Sequence, residues 1–555
     1  MARLRTLPDA LSDAAQTSAG YTFVSGRTET FCAYADLRVS ALRVAAALRS
    51  VGLRRGDVVA IILPEADQFL STLFGASIAG VIPASVYPPS TAGDLELYLE
   101  YTSAILRASG ARAVVTSSTL VPAFTAARGH CPDLRLVLSR AELDGPAEEP
   151  TDLPALDDIA FVQFTSGSTS VPKGVALTHA NVSANIAAFN GPDGVGTTSA
   201  DVAVSWLPLN HDMGLVGMAF GALYSGCPCV LLRPADFVKR PLAWLSAISR
   251  YRGTISFAPN FAYDLTVRRV KDRDLEELDL SSWRVAGCGA EPIHPPTLAG
   301  FASKFGVAGF RETSFLPCYG LAEHVLAATF SLRGRPPRVE DVDADDLTAR
   351  RMAVPARSGG LSVALVSCGH PLPGHQIRIA GEDGEHLPDG HVGEILLSGP
   401  SVMLGYFRQD ALTAETVRNG WLHTGDLGYL SGGELFVCGR AKDILIVNGR
   451  KYHPQDLEWA VDGLAGVRRG RVVAFGLSEP GRPDRVVVVV EPNGTVPAAE
   501  LTDAIRRRVG DLFGLYVDDV AIVASGKVGR TTSGKVQRAS TKAEYERGEL
   551  LPGTS

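Results

Sequence analysis

Between Gln163 and Gly174 the chain reads Gln-Phe-Thr-Ser-Gly-Ser-Thr-Ser-Val-Pro-Lys-Gly, which crowds hydroxyls, glycines and one lysine into a single loop. Glycine lets backbone N–H groups approach anionic oxygens, hydroxyls add donors, and Lys173 adds a point charge on a flexible stem. That chemistry suits the holding of phosphate. A Ser/Gly surface linker is the plain alternative, but linkers sit between polar segments, whereas Ile159–Phe164 and Gly174–Leu177 on either side are apolar. Pro172 stands where a Walker loop needs glycine before its lysine, so this is a phosphate loop of another kind.

Four further segments carry chemistry-bearing residues far apart in the chain: Tyr319-Gly320-Leu321-Ala322-Glu323, Trp421 to Gly428 around Asp426, Gly439-Arg440-Ala441-Lys442-Asp443, and Gly529 to Arg538 around Lys535. Each alone has a bland reading. Glu323 can be a helix-start carboxylate, Asp426 a turn residue between glycines, and Arg440 a surface charge. Gly529 to Lys535 matches the first part of a Walker motif, but Val536 occupies the position where magnesium needs Ser or Thr.

The elements that must position these residues are legible as alternating patterns. Tyr34–Val51 is an amphipathic helix, Asp57–Leu63 and Ala113–Thr116 are strands, and strand-like runs recur at Val202–Trp206, Cys229–Leu232 and Arg284–Gly287. The pattern predicts a large layered α/β sheet domain over the first two thirds, without internal repeats. After about residue 370, short strands such as Gly393–Gly399 and Gly433–Cys438 predict a β-rich subdomain. Beyond Arg440 come strands at Ile444–Val447, Arg471–Phe475 and Arg485–Glu491 and helices at Pro454–Val461 and Glu500–Leu512, a separate small domain.

Composition narrows the function classes. With 555 residues, 46% of them hydrophobic, the chain can bury several cores. A net charge of −7 without a basic block argues against nucleic acid as partner. The eight cysteines are scattered without paired CxxC motifs, which argues against a zinc site and fits reduced thiols in the cytoplasm. The N-terminal residues lack the apolar core of a signal peptide. Gln68–Gly93 is uncharged and long enough to weigh as a membrane helix, but its prolines, glycines and serines fit a buried helix running into a strand and turn, so no integral span is expected.

In combination and order, the five segments resemble the adenylate-forming superfamily of acyl- and aryl-CoA synthetases, peptide-synthetase adenylation domains and luciferases, over essentially the whole chain. The resemblance implies a large N-terminal domain of layered α/β subdomains plus a β-rich subdomain, with a small mobile C-terminal α+β domain. Its expected boundaries are 1–438 for the large domain, with the β-rich part at about 370–438, a hinge at 439–443 holding Lys442, and 444–555 for the small domain. It implies ATP and Mg2+ as cofactors. Thr165, Ser166, Gly167, Ser168, Thr169 and Lys173 would wrap the phosphates, and Tyr319 with Gly320 would lie by adenine beside Gly289, Ala290 and Glu291. Glu323 would hold the metal, Asp426 the ribose and Arg440 the ribose or phosphate. Lys535 would meet the carboxylate and α-phosphate. Such residues answer a physical need, since a carboxylate attacking the α-phosphorus forces two anions together.

Ser205–Leu215, Ala258–Tyr263 and Asn448–Asp456 resemble more narrowly the fatty acyl-AMP ligases, which hand the acyl group to an acyl-carrier protein in place of CoA. The stretch from 331 to 367 has eleven charged residues between Arg333 and Arg357 and looks like the insertion of that branch, thought to hinder the rotation used for CoA thioester formation. A tolerated surface loop is the rival reading. His211, Asp212, Met213, Gly214, Phe257 and Asn260 are the expected acyl-substrate residues, with Met218 and Phe220 as further pocket candidates that core packing would equally explain. His324 departs from the branch's small residue and would either crowd the acyl carboxylate or sit buried, satisfied by a neighbour. Arg506-Arg507-Arg508 is a candidate carrier-protein contact, with a solvated helix face as its alternative.

The expected activity is therefore ATP-dependent conversion of a hydrophobic carboxylic acid, fatty or polyketide- or terpenoid-like, to acyl-AMP. Transfer to the phosphopantetheine thiol of a carrier protein follows. The alternatives are an acyl-CoA ligase, an enzyme keeping one half-reaction, and a non-catalytic nucleotide sensor.

Overall fold

The computed structural model describes residues 3–89, 95–165, 172–358, 360–447, 450–477, 485–530 and 536–550. The first two thirds form two sheets where the sequence pattern suggested one layered sheet domain, because pattern identifies strands without saying which ones pair. Among the described residues, one sheet of nine strands is mostly parallel and includes Ala203–Ser205, Ile255–Ala258, Val285–Cys288 and Phe315–Gly320. A second, of seven strands, centres on parallel Val58–Ile62, Ile82–Ser85 and Ile159–Thr165 and ends on antiparallel Lys173–Thr178 and Gly405–Tyr406. Strands buried on both faces read as continuous apolar runs, as Val58–Ile62 does.

The uncharged stretch folds as the buried helix and strand expected, Ala66–Ala79 followed by Ile82–Ser85. No helix among the described residues is long and apolar enough to cross a membrane. That helix packs tightly on Tyr34–Ser50: a Cβ at Gly75 would lie 2.6 Å from Val44, so the close approach requires glycine.

The β-rich sheet comprises Gln376–Ala380, Gly393–Ser398, Trp421–Ser431, Val417–Arg418 and Glu434–Arg440. The described residues of segment 331–367 form a structured appendage on it. Val339–Asp343 pairs with Ser362–Val366, and Val342, Leu347 and Leu365 share a buried cluster with Tyr429, Phe436 and Cys438. Glu340 fastens it by accepting from Tyr429 Oη at 2.9 Å and Ser431 Oγ at 2.8 Å.

Residues beyond 444 build a three-stranded sheet, Val467–Leu477, Arg485–Pro492 and Asp519–Ile522. Its central strand buries Val486, Val488 and Val490 on one face and Val487 and Val489 on the other. Helix Ala498–Phe513 covers the first face through Leu501, Ile505 and Val509, spaced as a helical stripe requires. Buried Glu491 ties the edge of this unit together, accepting from the N–H groups of Gly526 at 2.9 Å and Val528 at 3.0 Å.

Candidate functional site

Strand Phe315–Gly320 ends in an irregular register between Tyr319 and Gly320, at the carboxyl end of parallel strands where open α/β sheets bind ligands. A Cβ at Gly320 would lie 1.7 Å from the Leu326 carbonyl oxygen, so only glycine fits this turn. The Tyr319 phenol donates to Asp426 Oδ2 at 2.7 Å, and Arg440 Nε donates to Asp426 Oδ1 at 3.0 Å. Asp426 and Arg440 face each other across the Trp421–Ser431 and Glu434–Arg440 pair, so ladder register brings them together. Asp426 is thus a strand residue and not a turn aspartate. Burial, and then the Asp426 charge, hold the Tyr319 phenol well above its usual range. The Asp426 charge raises the Arg440 guanidinium in turn.

A second group gathers around Tyr406, which the sequence reading missed. Its strand pairs with Lys173–Thr178, its phenol donates to Glu323 Oε1 at 2.8 Å, and Lys173 Nζ lies 5.2 Å from its ring centre. The lysine gains a cation–π contact, and Tyr406 links it to a carboxylate carried by the other sheet. Burial and Glu323 push the Tyr406 phenol far up, so it stays a donor. No local signal marks Tyr406, because its neighbours arrive only through strand pairing.

Both groups line one cavity of about 1640 Å³, which also takes in His211, Asp212, Met213, Met218, Phe257, Asn260, Ala290 and Glu291. The first of these stand at or near the start of a π-helical segment, Met213–Phe220, a local geometry often found at functional sites. His211 Nδ1 lies 2.7 Å from Asp212 Oδ1, and Glu291 Oε1 accepts from Phe261 N–H at 2.5 Å. Three expected residues do not line the cavity. Gly214 packs on Pro208, whose oxygen a Cβ would meet at 2.3 Å; Gly289 packs on Cys318; and Phe220 packs among Phe74 and Phe161. His324 is fully buried, donating from Nδ1 to the Ala327 carbonyl at 3.0 Å, and burial pulls it down to about 3. It is a neutral core histidine turned away from the cavity.

Residues after 440 complete the wall. Lys442, Asp443, Asp456, Trp459 and Arg538 line the cavity, with the Trp459 and His294 ring centres 4.6 Å apart at a tilt of 36° and Arg530 5.8 Å from the Phe261 ring centre. Arg538 pairs with Glu458 at 2.9 Å and with Asp443. Burial, aided by Glu458, raises Asp456 to about 7. Ser166, Gly167, Ser168, Thr169 and Lys535 lie outside the described residues, as does the Thr165 side chain. Arg506 is spent on the Val517 and Asp518 carbonyls, while Arg507 and Arg508 are exposed.

Comparison with known proteins agrees with this geometry. The family model "AMP-binding enzyme" matches residues 11–407, and the model of the AMP domain of Disco-interacting protein 2-like proteins matches 442–552. A Caulobacter vibrioides protein provisionally named an acyl-CoA synthetase is 37% identical, with 97% of this chain and 95% of that protein covered. The medium-chain-fatty-acid–acyl-carrier-protein ligase JamA of Moorena producens is 34% identical over 93% of this chain and 90% of its own. A structure from a study of fatty acyl-adenylate ligases of E. coli and L. pneumophila superposes with a TM-score of 0.93 at 37% identity, covering 98% of this chain and 99% of that one.

Proposed function

The chain belongs to the AMP-binding enzymes, in their fatty acyl-AMP ligase branch, and we propose that it joins a hydrophobic carboxylic acid to AMP at the expense of ATP and passes the acyl group to a carrier-protein thiol. The observation that carries this reading is the shared cavity, where Tyr319–Asp426–Arg440 and Glu323–Tyr406–Lys173 meet an apolar wall of Met213, Met218 and Phe257.

In this reading Tyr319 flanks the base, Asp426 accepts from the ribose hydroxyls, and Arg440 neutralises the nucleotide beside it. An acid carboxylate oxygen bonds to the α-phosphorus as the bond to pyrophosphate breaks. Lys173 offsets the phosphate charge, and Lys535 with the 165–169 loop is assigned to the same task on its motif. In the second step a thiolate attacks the acyl carbon and AMP leaves.

Magnesium fits the donor set. No group of three or more His, Cys, Asp or Glu residues among the described residues could cage a metal, and magnesium characteristically takes one or two carboxylates plus substrate phosphates. Glu323 is the carboxylate assigned to it, oriented by Tyr406. When bound, the ion would supply charge neutralisation at the phosphates. The unit after 444 is proposed to turn about 439–443, with the 331–367 appendage restraining that turn. The scattered free thiols favour the cytoplasm.

CoA is the second acceptor to weigh, favoured by the name of the Caulobacter relative. A panel of carboxylic acids with ATP, read by mass spectrometry for acyl-AMP, acyl-CoA and acyl-carrier products, tests the reading. Acyl-AMP with carrier thioester supports it; steady CoA thioester without carrier product overturns the acceptor, and no acyl-AMP with any acid overturns the activity.

A further inference from the structure

Glu323 reaches the cavity from a strained turn. After the short Ala322–His324 turn, Val325 adopts φ 64° and ψ −58°, and Leu326 N–H donates to the His324 carbonyl at 2.8 Å. This is a γ-turn of the rare positive-φ kind, and a β-branched residue is an outlier there. Such strain persists only where the surroundings over-determine it.

The surroundings that do so come from the His179–Asn190 helix. Asn185, fully buried, grips Ala327 by both backbone groups: Nδ2 donates to its carbonyl at 2.8 Å and Oδ1 accepts from its N–H at 3.2 Å. Nδ2 also donates to Ser401 Oγ at 3.1 Å. The Ser401 hydroxyl donates onward to His375 Nε2 at 2.6 Å, because His375 Nδ1 is committed to the Pro373 carbonyl at 3.0 Å. His324 Nδ1 meets the same Ala327 carbonyl, and Met403 N–H donates to the Glu323 carbonyl at 2.9 Å. Every polar group of the Asn185 amide is used, and a buried amide satisfied on both sides rigidifies the backbone it grips.

We propose that Asn185 is a positioning residue for adenylation: acting through Ala327, it holds the Glu323–Ala327 turn in its strained form and thereby sets the Glu323 carboxylate against Tyr406 and into the cavity. The proposal rests on the reading of Glu323 as the metal-holding carboxylate. It concerns a residue that lines no part of the cavity itself and that no motif marks.

The test compares wild type, Glu323→Gln and Asn185→Leu, which keeps bulk and removes all three side-chain hydrogen bonds, two to Ala327 and one to Ser401. Hydrogen exchange of the 320–327 segment is followed without ligands, and magnesium is titrated against pyrophosphate release at saturating ATP and acid. Asn185→Leu is expected to speed exchange in 320–327 selectively and to raise the half-saturating magnesium roughly 10–100-fold, as loss of a partner that orients a metal ligand does, with the KM for acid little changed. Glu323→Gln is expected to raise the magnesium requirement while leaving exchange as in wild type. Unchanged exchange in Asn185→Leu, exchange accelerated throughout the chain, or faster local exchange with wild-type magnesium dependence each overturns the proposal. An unchanged magnesium dependence in Glu323→Gln overturns the reading of Glu323 instead. If Asn185→Leu does not fold, Asn185→Asp, which keeps the acceptor for Ala327 N–H but lacks the donor for its carbonyl, is read the same way.

Discussion

Tyr319 and Asp426, 107 residues apart in sequence, share a buried hydrogen bond of 2.7 Å that ties the carboxyl end of a strand in the nine-stranded sheet to an interior strand of the β-rich one. Because the acceptor is ionised, this bond belongs to the stronger class, and it fixes the phenol ring and the carboxylate at once.

Tyr319→Phe should keep the ring and lose that tie. Arg440 still holds Asp426, so the expected cost is about 1.5 kcal/mol, at the low end for hydrogen bonds to charged groups. The KM for ATP is expected to rise about tenfold with kcat little changed, the pattern of lost uniform binding. Steady-state kinetics with ATP varied checks it; a fall in kcat at unchanged KM would place Tyr319 in the chemical step instead.

Tyr406→Phe tests the other half of the site. The ring under Lys173 stays, while Glu323 loses the donor that orients it. The expected loss is about tenfold in kcat/KM for pyrophosphate release, corresponding to roughly 1.4 kcal/mol of transition-state stabilisation. Tyr406→Leu should lose more, since the cation–π contact goes too. Equal losses in the two variants would mean that the ring contributes nothing to holding Lys173.

The residues that sequence reveals here are those whose neighbours in the chain share their task. Asp426 and Arg440 are legible because glycine-flanked motifs surround them, and strands such as Val58–Ile62 because two covered faces demand an unbroken apolar run. Tyr406 and Asn185 are invisible for the opposite reason. Tyr406 meets Glu323 through a two-residue strand at a sheet edge, and Asn185 meets Ala327 across 142 residues, so neither has a local pattern to betray it. The division of the first two thirds into two sheets was hidden likewise, since periodicity names strands but not partners. Phe220 shows the limit from the other side: spacing alone could not separate cavity wall from core, and it is core.

Stability should fall on mild acidification. Burial holds His179 and His453 down to about 4 and His324 to about 3, below the ordinary value of 6.5. The unfolded chain takes up these protons as pH falls through 6.5, and the folded chain resists until about 4, so their stabilisation is full above 6.5 and is lost on the way down. Asp456, raised to about 7 from 3.8, acts with the opposite sign, its proton being bound only in the folded state over the same window. Three protons against one leaves about two in excess on the unfolded chain, or a slope of roughly 2.7 kcal/mol per pH unit near pH 5 from these groups. His179 accepts from Leu7 N–H at 3.1 Å, so its protonation also releases the N-terminal helix. Urea titrations between pH 4.5 and 7.5 should show that slope, and Asp456→Asn should steepen it by about one proton; a flat profile would show that the histidines are not held neutral.

The 331–367 appendage offers the sharpest prediction about the acceptor. Its Ala344–Ala349 helix lies against strand Arg450–Tyr452 of the small unit, while Leu347 sits in the cluster with Tyr429, Phe436 and Cys438. A turn about 439–443 would have to break the first contact, and the second keeps the helix in place to resist it. Leu347→Ala should cost about 2–5 kcal/mol of local stability, loosening the appendage while leaving the nucleotide site intact. Adenylation is then expected within about twofold of wild type, with CoA thioester rising relative to carrier thioester. Limited proteolysis reports whether the segment has loosened. A loosened segment with an unchanged product ratio would show that the appendage does not restrain the turn, and that discrimination against CoA lies in the thiol's own path.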